Sequence, residues 1–382
     1  MQTTLLKNAD VILPNEKVGK ISLLIKNKKI SEITTEEPPA DEVLDLSGLT
    51  LFAGFTDIHI HGAVGIDINT ADAEELYKMA KFLAEKGTTA WLPTFVPDRD
   101  ETYRKAVTEI EKIIEIQENE PIAQIVGIHY EGVFANKKMC GALHPEFFKS
   151  FKNGDEISQL PKLKKGIHFT TLAPEVENGI ALVKELIRQN WIVSIGHTKA
   201  DCSTLEKAFN AGAKHLTHFF NAMTALHHRD LGVVGWALDK KDVTFDIIAD
   251  GIHVHPKMLK FAVENKTVDK VSLISDSIAP AGLGDGEYKI WNEKISVIDG
   301  KTENEKGSIA GSVITMLAAV KMMLSLGFSE IEVSKMASLN PAKLLRIDKN
   351  YGSIEVGKRA DLIAFDKNKN VKMTLINGII SE

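Results

Sequence analysis

The chain has 382 residues, of which 44% are hydrophobic and 26% are charged, and its formal net charge is -6. This is an ordinary globular composition, and its acidic balance argues against a nucleic-acid or membrane surface as partner. Its two cysteines, Cys140 and Cys202, exclude a disulfide framework, and no signal peptide or membrane-length apolar run is recognisable, so we expect a cytoplasmic protein.

Short strand-like segments separated by turn residues occupy both ends of the chain. The predicted terminal strands are Thr3–Leu6, Val11–Leu13, Ser22–Lys26, Lys29–Thr34, Val43–Asp45, Leu362–Phe365 and Val371–Ile376. Neither end is long enough to bury a core alone. We therefore expect residues 1–52 and 350–382 to combine into one small β-sandwich domain.

Residues 53–349 alternate strand-like and helix-like segments, which predicts a parallel sheet. The strand candidates are Phe55–His61, Thr88–Phe95, Gln124–Glu131, His168–Ala173, Ile192–His197, His215–Phe219, Thr244–Ala249 and Val271–Asp276. The clearest amphipathic helices between them are Asp72–Lys86, Asn178–Gln189 and Asp201–Asn210. Strands of this number and order predict an α/β fold of the (β/α)₈ TIM-barrel type.

The first predicted barrel strand carries two histidines separated by one residue. In the run from Gly54 to Gly62, apolar residues alternate with Asp57, His59 and His61, so these three side chains share one face of the strand. Two imidazoles placed in this way can reach one metal ion. The alternative is a half-buried strand whose histidines are satisfied by neighbouring groups.

Polar residues also end four of the other predicted barrel strands. Glu131, His197, His218 and Asp276 end the third, fifth, sixth and eighth strands. The carboxyl ends of barrel strands meet at one mouth, where barrel active sites lie. Any one of these residues could instead be a cap or a buried turn residue. Their coincidence at one mouth with His59 predicts a metal site that suits zinc, iron or manganese.

Basic and imidazole side chains follow strands six and seven on the same side of the predicted barrel. They are His227, His228, Arg229, His253 and His255. Barrels often bind phosphate in loops of this kind, and arginine offers a planar fork of donors to phosphate oxygens. A phosphate site is therefore predicted, with ordinary solvated loops as the alternative. We expect the other strand histidines to be structural, namely His129, His168 and His215.

Together these motifs resemble the amidohydrolase superfamily and, within it, the N-acetylglucosamine-6-phosphate deacetylase family, over essentially the whole chain. The similar segments are Gly54–Gly62, Glu131–Phe134, Gly196–Thr198, Phe220–Thr224, His227–Gly235, Ala249–Val254, Ser275–Gly282 and Ile309–Ser312. Asn340-Pro341-Ala342 and residues 357–361 are typical of the wider superfamily. Glu131 stands where many amidohydrolases have a bridging lysine, which argues against a dihydroorotase or hydantoinase.

The resemblance implies a divalent metal cofactor, with one or two ions in each subunit. Glu131, His197 and His218 would hold the first ion. His59 and His61 would hold a second, which Glu131 would bridge to the first. Asp276 would be the catalytic acid and base.

The resemblance also implies a phosphorylated amino-sugar substrate, whose acetamide is hydrolysed to glucosamine 6-phosphate and acetate. The residues implied in substrate binding are Ala142, His144, Asn221, Ala222, Arg229, His253, Ile309, Ala310, Gly311 and Ser312. In the family the loop bearing the arginine reaches into the neighbouring subunit, which implies a homodimer.

Some residues depart from the family pattern. A substrate-contacting His or Gln commonly follows the Gly-Ala pair, whereas here Leu143 stands between Ala142 and His144. Ser275 and Ser277 flank Asp276 in place of a more usual threonine and alanine. The motifs leave three other functions open: an N-acetylgalactosamine-6-phosphate deacetylase, an amidohydrolase that acts on a cyclic amide or deaminates a base, and a non-catalytic scaffold.

Overall fold

The computed structural model describes residues 3–152 and 154–381, and within them eight parallel strands form a central barrel. These strands are Phe55–Ile60, Thr88–Phe95, Gly127–Phe134, Ile167–Leu172, Ile192–Ile195, His215–Leu216, Thr244–Ile248 and Val271–Ile274. The barrel closes where the Asp276 N–H donates to the His59 carbonyl at 2.9 Å and the His61 N–H donates to the Ser277 carbonyl at 2.8 Å. The predicted TIM-type barrel is confirmed.

Helices follow most of the barrel strands. Their bounds are Ala73–Glu85, Asp100–Ile116, Asp155–Ser158, Gly179–Arg188, Cys202–Ala211, Gly232–Asp239, Pro256–Lys266, Met316–Ser325, Glu330–Ser334 and Asn340–Leu344. Short 3-10 turns lie at Gln117–Asn119, Lys137–Met139, Pro145–Phe147 and Val268–Lys270, and a π turn lies at Lys335–Leu339. Within the described ranges, none of the helices has both the length and the apolar character that a bilayer span requires.

The first helix shows why the predicted helices form where they do. Asp72 precedes it and accepts a hydrogen bond from the Glu75 N–H at 2.9 Å, while the Glu75 carboxylate accepts one from the Asp72 N–H at 3.1 Å. This capping box satisfies two N–H groups that the helix itself leaves unpaired. The predicted apolar stripe from Leu76 to Leu83 is buried against the barrel.

Strands from both chain ends form one sheet of eight strands within the described residues. They are Thr3–Ile12, Lys17–Lys26, Lys29–Thr34, Glu42–Asp45, Thr50–Ala53, Leu362–Phe365, Val371–Ile376 and Ile379–Ser381. Leu362–Phe365 pairs with Thr50–Ala53 and so joins the two ends. The two strands predicted between Thr3 and Leu13 are one strand, because a register shift beside Asn8, at φ 64°, preserves its pairing.

Side chains on the two faces of Thr50–Ala53 pack this sheet against the barrel. Phe52 packs edge-on against Phe365, with ring centroids 5.1 Å apart, and both lie in the barrel core. Leu51 and Leu362 point the other way into a separate apolar core of the small domain. Because successive strand residues face opposite sides, one short strand contributes to both cores.

Two small antiparallel sheets lie near the mouth of the barrel. One pairs Gly62–Ala63 with Ile66–Asp67. The other is inserted after the eighth barrel strand and comprises Gly286–Ile290, Glu293–Ile298 and Lys301–Asn304. The inserted sheet is missing from the predicted elements because its strands are short and mostly exposed. Ile290 and Ile295 on its inner face pack in an apolar cluster with Ala310.

Candidate active site and metal centre

Three site residues lie just beyond barrel strands that end earlier than predicted. The fifth, sixth and eighth strands stop two residues before His197, His218 and Asp276. These three residues have φ angles of 48°, 36° and 49°, in the left-handed region that non-glycine residues seldom adopt. The backbone therefore leaves the extended conformation at each position. This turn ends the strand pairing and places the three side chains at the mouth.

Hydrogen bonds from neighbouring elements hold the turned segments in place. The Asp246 carboxylate accepts a hydrogen bond from the His218 N–H at 2.5 Å. The Asn136 N–H donates to the His197 carbonyl at 3.1 Å, and the Ser312 N–H donates to the Asp276 carbonyl at 2.7 Å. Backbone strain at functional residues persists only where the surroundings impose it. These contacts provide that constraint.

Glu131, His197 and His218 bring three potential metal ligands together. The Nε2 atoms of His197 and His218 lie 3.1 and 3.0 Å from Glu131 Oε1, and 3.1 Å from each other. All three residues are buried. Ligands at about 2.0–2.1 Å from a tetrahedral zinc ion lie a little over 3 Å apart, so this spacing fits a metal site.

A second set of three ligands lies beside the first and consists of His59, His61 and Asp276. The Nε2 atoms of His59 and His61 are 3.0 Å apart, and each lies 3.4 Å from Asp276 Oδ1. Glu131 is close to this set as well, because its Oε2 lies 3.3 Å from His61 Nε2. Within the described residues, Glu131 thus lies between the two groups that could hold a cation.

The tautomers of three histidines favour metal binding over mutual hydrogen bonding. Their Nδ1 atoms face backbone carbonyls: Thr94 for His61 at 3.0 Å, Met139 for His197 at 2.7 Å and Asn221 for His218 at 3.2 Å. A carbonyl only accepts, so each Nδ1 carries the proton and each Nε2 presents a lone pair. Converging lone pairs and carboxylates form a donor set that fits a divalent cation.

The pKa values of the buried site show that its carboxylates need positive charge nearby. Burial lowers the pKa of His61, but Asp276 and Glu131 outweigh it and raise that pKa to about 10. Burial raises the pKa of Glu131, but the charge of His59 and the hydrogen bonds of His197 and His218 outweigh it and hold that pKa well below its ordinary value. Two buried carboxylates therefore require positive charge close by, which either protons or a metal ion can supply.

The ligand groups form the floor of a cavity of about 360 Å³. Six of the residues predicted to bind substrate line this cavity, namely Ala142, Asn221, Ala222, His253, Ile309 and Gly311. His253 is held by Asp250, whose Oδ2 accepts from Nδ1 at 2.6 Å. In its neutral form His253 therefore presents an accepting Nε2.

The structure places the other four predicted substrate residues outside this lining. Leu143, and not His144, lines the cavity after the Gly-Ala pair. His144 Nδ1 instead lies 3.3 Å from the Glu146 carboxylate. Ala310 is buried in the apolar cluster of the inserted sheet. Ser312 is also buried, and its hydroxyl donates to the Ser275 carbonyl at 2.6 Å, so it supports the segment that carries Asp276.

Arg229 lies apart from the cavity of its own chain, on an exposed loop that includes His227 and His228. The flanking side chains Leu226 and Leu231 are 49% and 46% exposed. The loop therefore presents a cation between two apolar side chains to its surroundings. His255, which was grouped with these residues in the sequence, instead begins the helix Pro256–Lys266 and accepts from the Lys257 N–H at 3.2 Å.

The three histidines expected to be structural are engaged within the fold. His129 Nε2 lies 2.8 Å from the Thr171 hydroxyl, and burial lowers its pKa well below the usual value. His168 Nε2 accepts from the Leu163 N–H at 3.0 Å. His215 Nε2 lies 3.0 Å from Asp246 Oδ2, so the carboxylate that fixes the His218 backbone is itself anchored.

Trp291 lines the cavity but was not among the predicted site residues. Its ring lies edge-on to His61, with centroids 5.8 Å apart. No motif marks it, because it belongs to a hairpin turn and does not follow a barrel strand directly. The next residue, Asn292, is of a type that favours tight turns and is the local sign of this hairpin in the sequence.

Comparisons with known proteins identify the family to which this chain belongs. The amidohydrolase family model matches residues 50–380. An N-acetylglucosamine-6-phosphate deacetylase of Bacillus subtilis (strain 168) is 33% identical over 387 residues, covering 100% of this chain and 97% of that protein. An N-acetylgalactosamine-6-phosphate deacetylase of Escherichia coli O157:H7 is 34% identical over 351 residues, covering 91% of each.

The fold of a solved relative is also similar. The crystal structure of N-acetylglucosamine-6-phosphate deacetylase from Pasteurella multocida matches with a TM-score of 0.91 and 29% sequence identity, over 99% of both chains. The similarity therefore extends over the barrel, the inserted sheet and the terminal sheet together.

Proposed function

The chain belongs to the amidohydrolase family, and we propose that it hydrolyses the acetamide of N-acetyl-D-glucosamine 6-phosphate to D-glucosamine 6-phosphate and acetate. The observation that carries this proposal is the arrangement around Glu131. Glu131 belongs to one buried ligand set and lies beside the other, which contains Asp276, at the floor of a cavity. An amide is a poor electrophile with a poor leaving group, so its hydrolysis requires both electrophilic assistance and proton transfer.

Glu131, His197 and His218 would hold the first divalent ion, and His59 and His61, which lie beside the Glu131 carboxylate, would hold a second. Imidazole and carboxylate ligands suit zinc, iron or manganese. A divalent ion there supplies Lewis acidity toward water and toward the amide carbonyl. The Nδ1 hydrogen bonds of His61, His197 and His218 to backbone carbonyls hold these ligands in the tautomer that binding requires.

Asp276 is the proposed general base and then general acid. Its carboxylate is buried, and burial raises its pKa, but the charges of His59 and His61 outweigh that effect and hold the pKa below its ordinary value. The group is thus ionised at neutral pH and can accept a proton from the attacking water. It then donates this proton to the departing amine nitrogen, which would otherwise leave as an unstable anion.

His253 is proposed to bind the sugar and not the developing oxyanion. Because the Asp250 carboxylate holds the proton on Nδ1, the neutral imidazole offers Nε2 as an acceptor. An acceptor suits a substrate hydroxyl, whereas an oxyanion requires a donor. Asn221 and Ala222 lie on the same side of the cavity, after the sixth strand, and would complete the sugar site.

Arg229 is proposed to bind the substrate phosphate of a neighbouring subunit in a homodimer. Its loop is exposed and the arginine does not line the cavity of its own chain. The exposed Leu226 and Leu231 beside it support an intersubunit contact, since they would leave water there. The phosphate is remote from the reacting bond, so its contact with Arg229 would mainly hold the substrate in the cavity.

An alternative substrate is N-acetylgalactosamine 6-phosphate, which differs in the orientation of one hydroxyl. It is favoured by the similarity to the E. coli galactosamine enzyme, at 34% identity. The test is acetate release from the two hexosamine phosphates compared at equal concentration. Release from neither sugar would refute the proposal and favour a cyclic-amide hydrolase or a scaffold.

Two free cysteines, Cys140 and Cys202, are consistent with the proposed cytoplasmic location.

A further inference from the structure

Trp291 occupies an unusual backbone position at the tip of the inserted hairpin. Ile290 pairs with Glu293, so Trp291 and Asn292 form a two-residue turn with φ angles of 52° and 61°. Such turns need positive φ at both central residues and strongly favour Asn and Gly. A bulky aromatic residue in this conformation is an outlier, and backbone outliers of this kind concentrate at functional sites.

This hairpin tip reaches the active-site cavity. Trp291 lines it together with Ala142, and both pack against the apolar cluster of Ile290, Ile295 and Ala310. The indole lies edge-on to His61, with ring centroids 5.8 Å apart. One wall of the cavity is therefore formed by an indole ring and a methyl group, and it stands beside the ligand set that contains Asp276.

The order of the barrel strands, taken with the sugar site proposed above, indicates which end of the substrate would face this wall. The sugar-binding residues proposed above, Asn221 and His253, follow the sixth and seventh strands, and Asp276 follows the eighth. His61 follows the first strand, on the far side of Asp276. The carbonyl carbon of an amide is planar, and its nitrogen and its alkyl group point in different directions. If the nitrogen and sugar extend toward His253, the alkyl group extends toward His61 and Trp291.

We infer that Trp291 forms the end wall of an acyl subsite, together with Ala142, and limits the acyl group that this enzyme removes to acetyl. This inference rests on the proposed function and adds a specificity determinant to it. A methyl group fits a small apolar recess, whereas each added methylene must displace the indole. In hydrophobic pockets one methylene changes kcat/KM by about 10- to 200-fold.

The test measures kcat/KM for N-acetyl, N-propanoyl and N-butanoyl glucosamine 6-phosphate in the metal-loaded enzyme. Trp291→Gly removes the wall and also suits the positive φ, so it favours folding of the hairpin. We expect kcat/KM of the parent to fall about 10- to 200-fold for each added methylene. In Trp291→Gly, kcat/KM should fall less than about tenfold from the acetyl to the butanoyl substrate. Trp291→Phe retains part of the wall and should give an intermediate ratio.

Ile298→Ala is the matched control, because Ile298 lies on the same inserted sheet and is 67% exposed. This variant should keep the parent's ratio of kcat/KM for the acetyl and butanoyl substrates. An acetyl-to-butanoyl ratio in Trp291→Gly equal to that of the parent would overturn the inference, and so would an equal loss of selectivity in Ile298→Ala. If Trp291→Gly does not fold, the ratio in Trp291→Phe decides in the same way. A parent inactive on the N-acetyl substrate would instead refute the proposed function.

Discussion

The hydroxyl of Ser275 donates a hydrogen bond to the carboxylate of Asp57 at 2.6 Å and joins the eighth barrel strand to the first. Asp57 precedes His59 on the same strand face, so this contact lies one layer below the proposed metal ligands. The Ser277 hydroxyl adds a second contact by donating to the Gly62 carbonyl at 2.9 Å. The two serines that flank Asp276, which depart from the family pattern, thus fasten the barrel closure at the active site.

Ser275→Ala should therefore reduce both stability and turnover. The variant leaves a buried carboxylate without its hydroxyl donor, which costs about 1–3 kcal/mol in the free energy of unfolding. It also frees the segment that positions Asp276, so kcat should fall. Ser275→Thr keeps the hydroxyl and serves as the control. Denaturant unfolding and kcat measured for both variants test this, and an alanine variant as stable as the threonine variant would contradict the role of this contact.

Asp276→Asn should nearly abolish turnover and leave metal bound. Asparagine cannot accept the water proton or deliver it to the amine, and general acid–base catalysis contributes about 10²- to 10⁴-fold. The first ligand set, Glu131, His197 and His218, is untouched by the change. Acetate release and metal content measured on the same preparation test both statements. Activity within about tenfold of the parent would remove Asp276 from its assigned role.

Much of the fold and of the site is predictable from the sequence alone. The family resemblance and the barrel are both confirmed, because alternating elements and polar residues at strand ends are local patterns. The predicted strand bounds are less accurate at His197, His218 and Asp276. Tertiary contacts there impose left-handed backbone conformations that the propensities of these residues do not suggest.

The supporting residues could not be predicted, for a different physical reason. Asp246 acts on His218 through a hydrogen bond between residues 28 positions apart, and Ser275 acts on Asp57 across 218 positions. Contacts of this kind depend on the three-dimensional register of the barrel. Trp291 is a similar case, because only the folded hairpin brings it beside His61.

Arg229→Ala should mainly raise KM for the phosphorylated substrate. An arginine–phosphate contact remote from the reacting bond contributes binding that is largely equal in the ground and transition states. The KM for unphosphorylated N-acetylglucosamine should not change. Arg104→Ala, which removes an exposed arginine from the helix Asp100–Ile116, is the matched control. An unchanged KM for the phosphorylated sugar would refute the assignment of Arg229 as the phosphate anchor.

Mixed dimers separate a phosphate anchor that acts across subunits from one that acts within a subunit. When Arg229→Ala and Asp276→Asn subunits are co-assembled, one active site in each mixed dimer has an intact Asp276 and receives Arg229 from its partner. The mixture should therefore combine turnover with the low KM, whereas Arg229→Ala alone has a raised KM and Asp276→Asn alone has almost no turnover. Recovery would be absent if Arg229 served only its own subunit.

Metal content should depend on the two ligand sets in different ways. His61→Ala removes a ligand of the second set only, so a protein that binds two ions should retain one. His197→Ala removes a ligand of the first set and should eliminate activity together with the ion held by Glu131, His197 and His218. Elemental analysis and acetate release after dialysis test both variants. Equal metal loss in the two variants would show that the sets do not bind independently.

Acetate release from N-acetylglucosamine 6-phosphate, measured before chelation, after chelation and after the metal is restored, tests the central claim most directly. The reaction should stop when the chelator removes the ion from Glu131, His197 and His218, and return when zinc, iron or manganese is added. Release that is undiminished in protein shown to be metal-free would contradict the account.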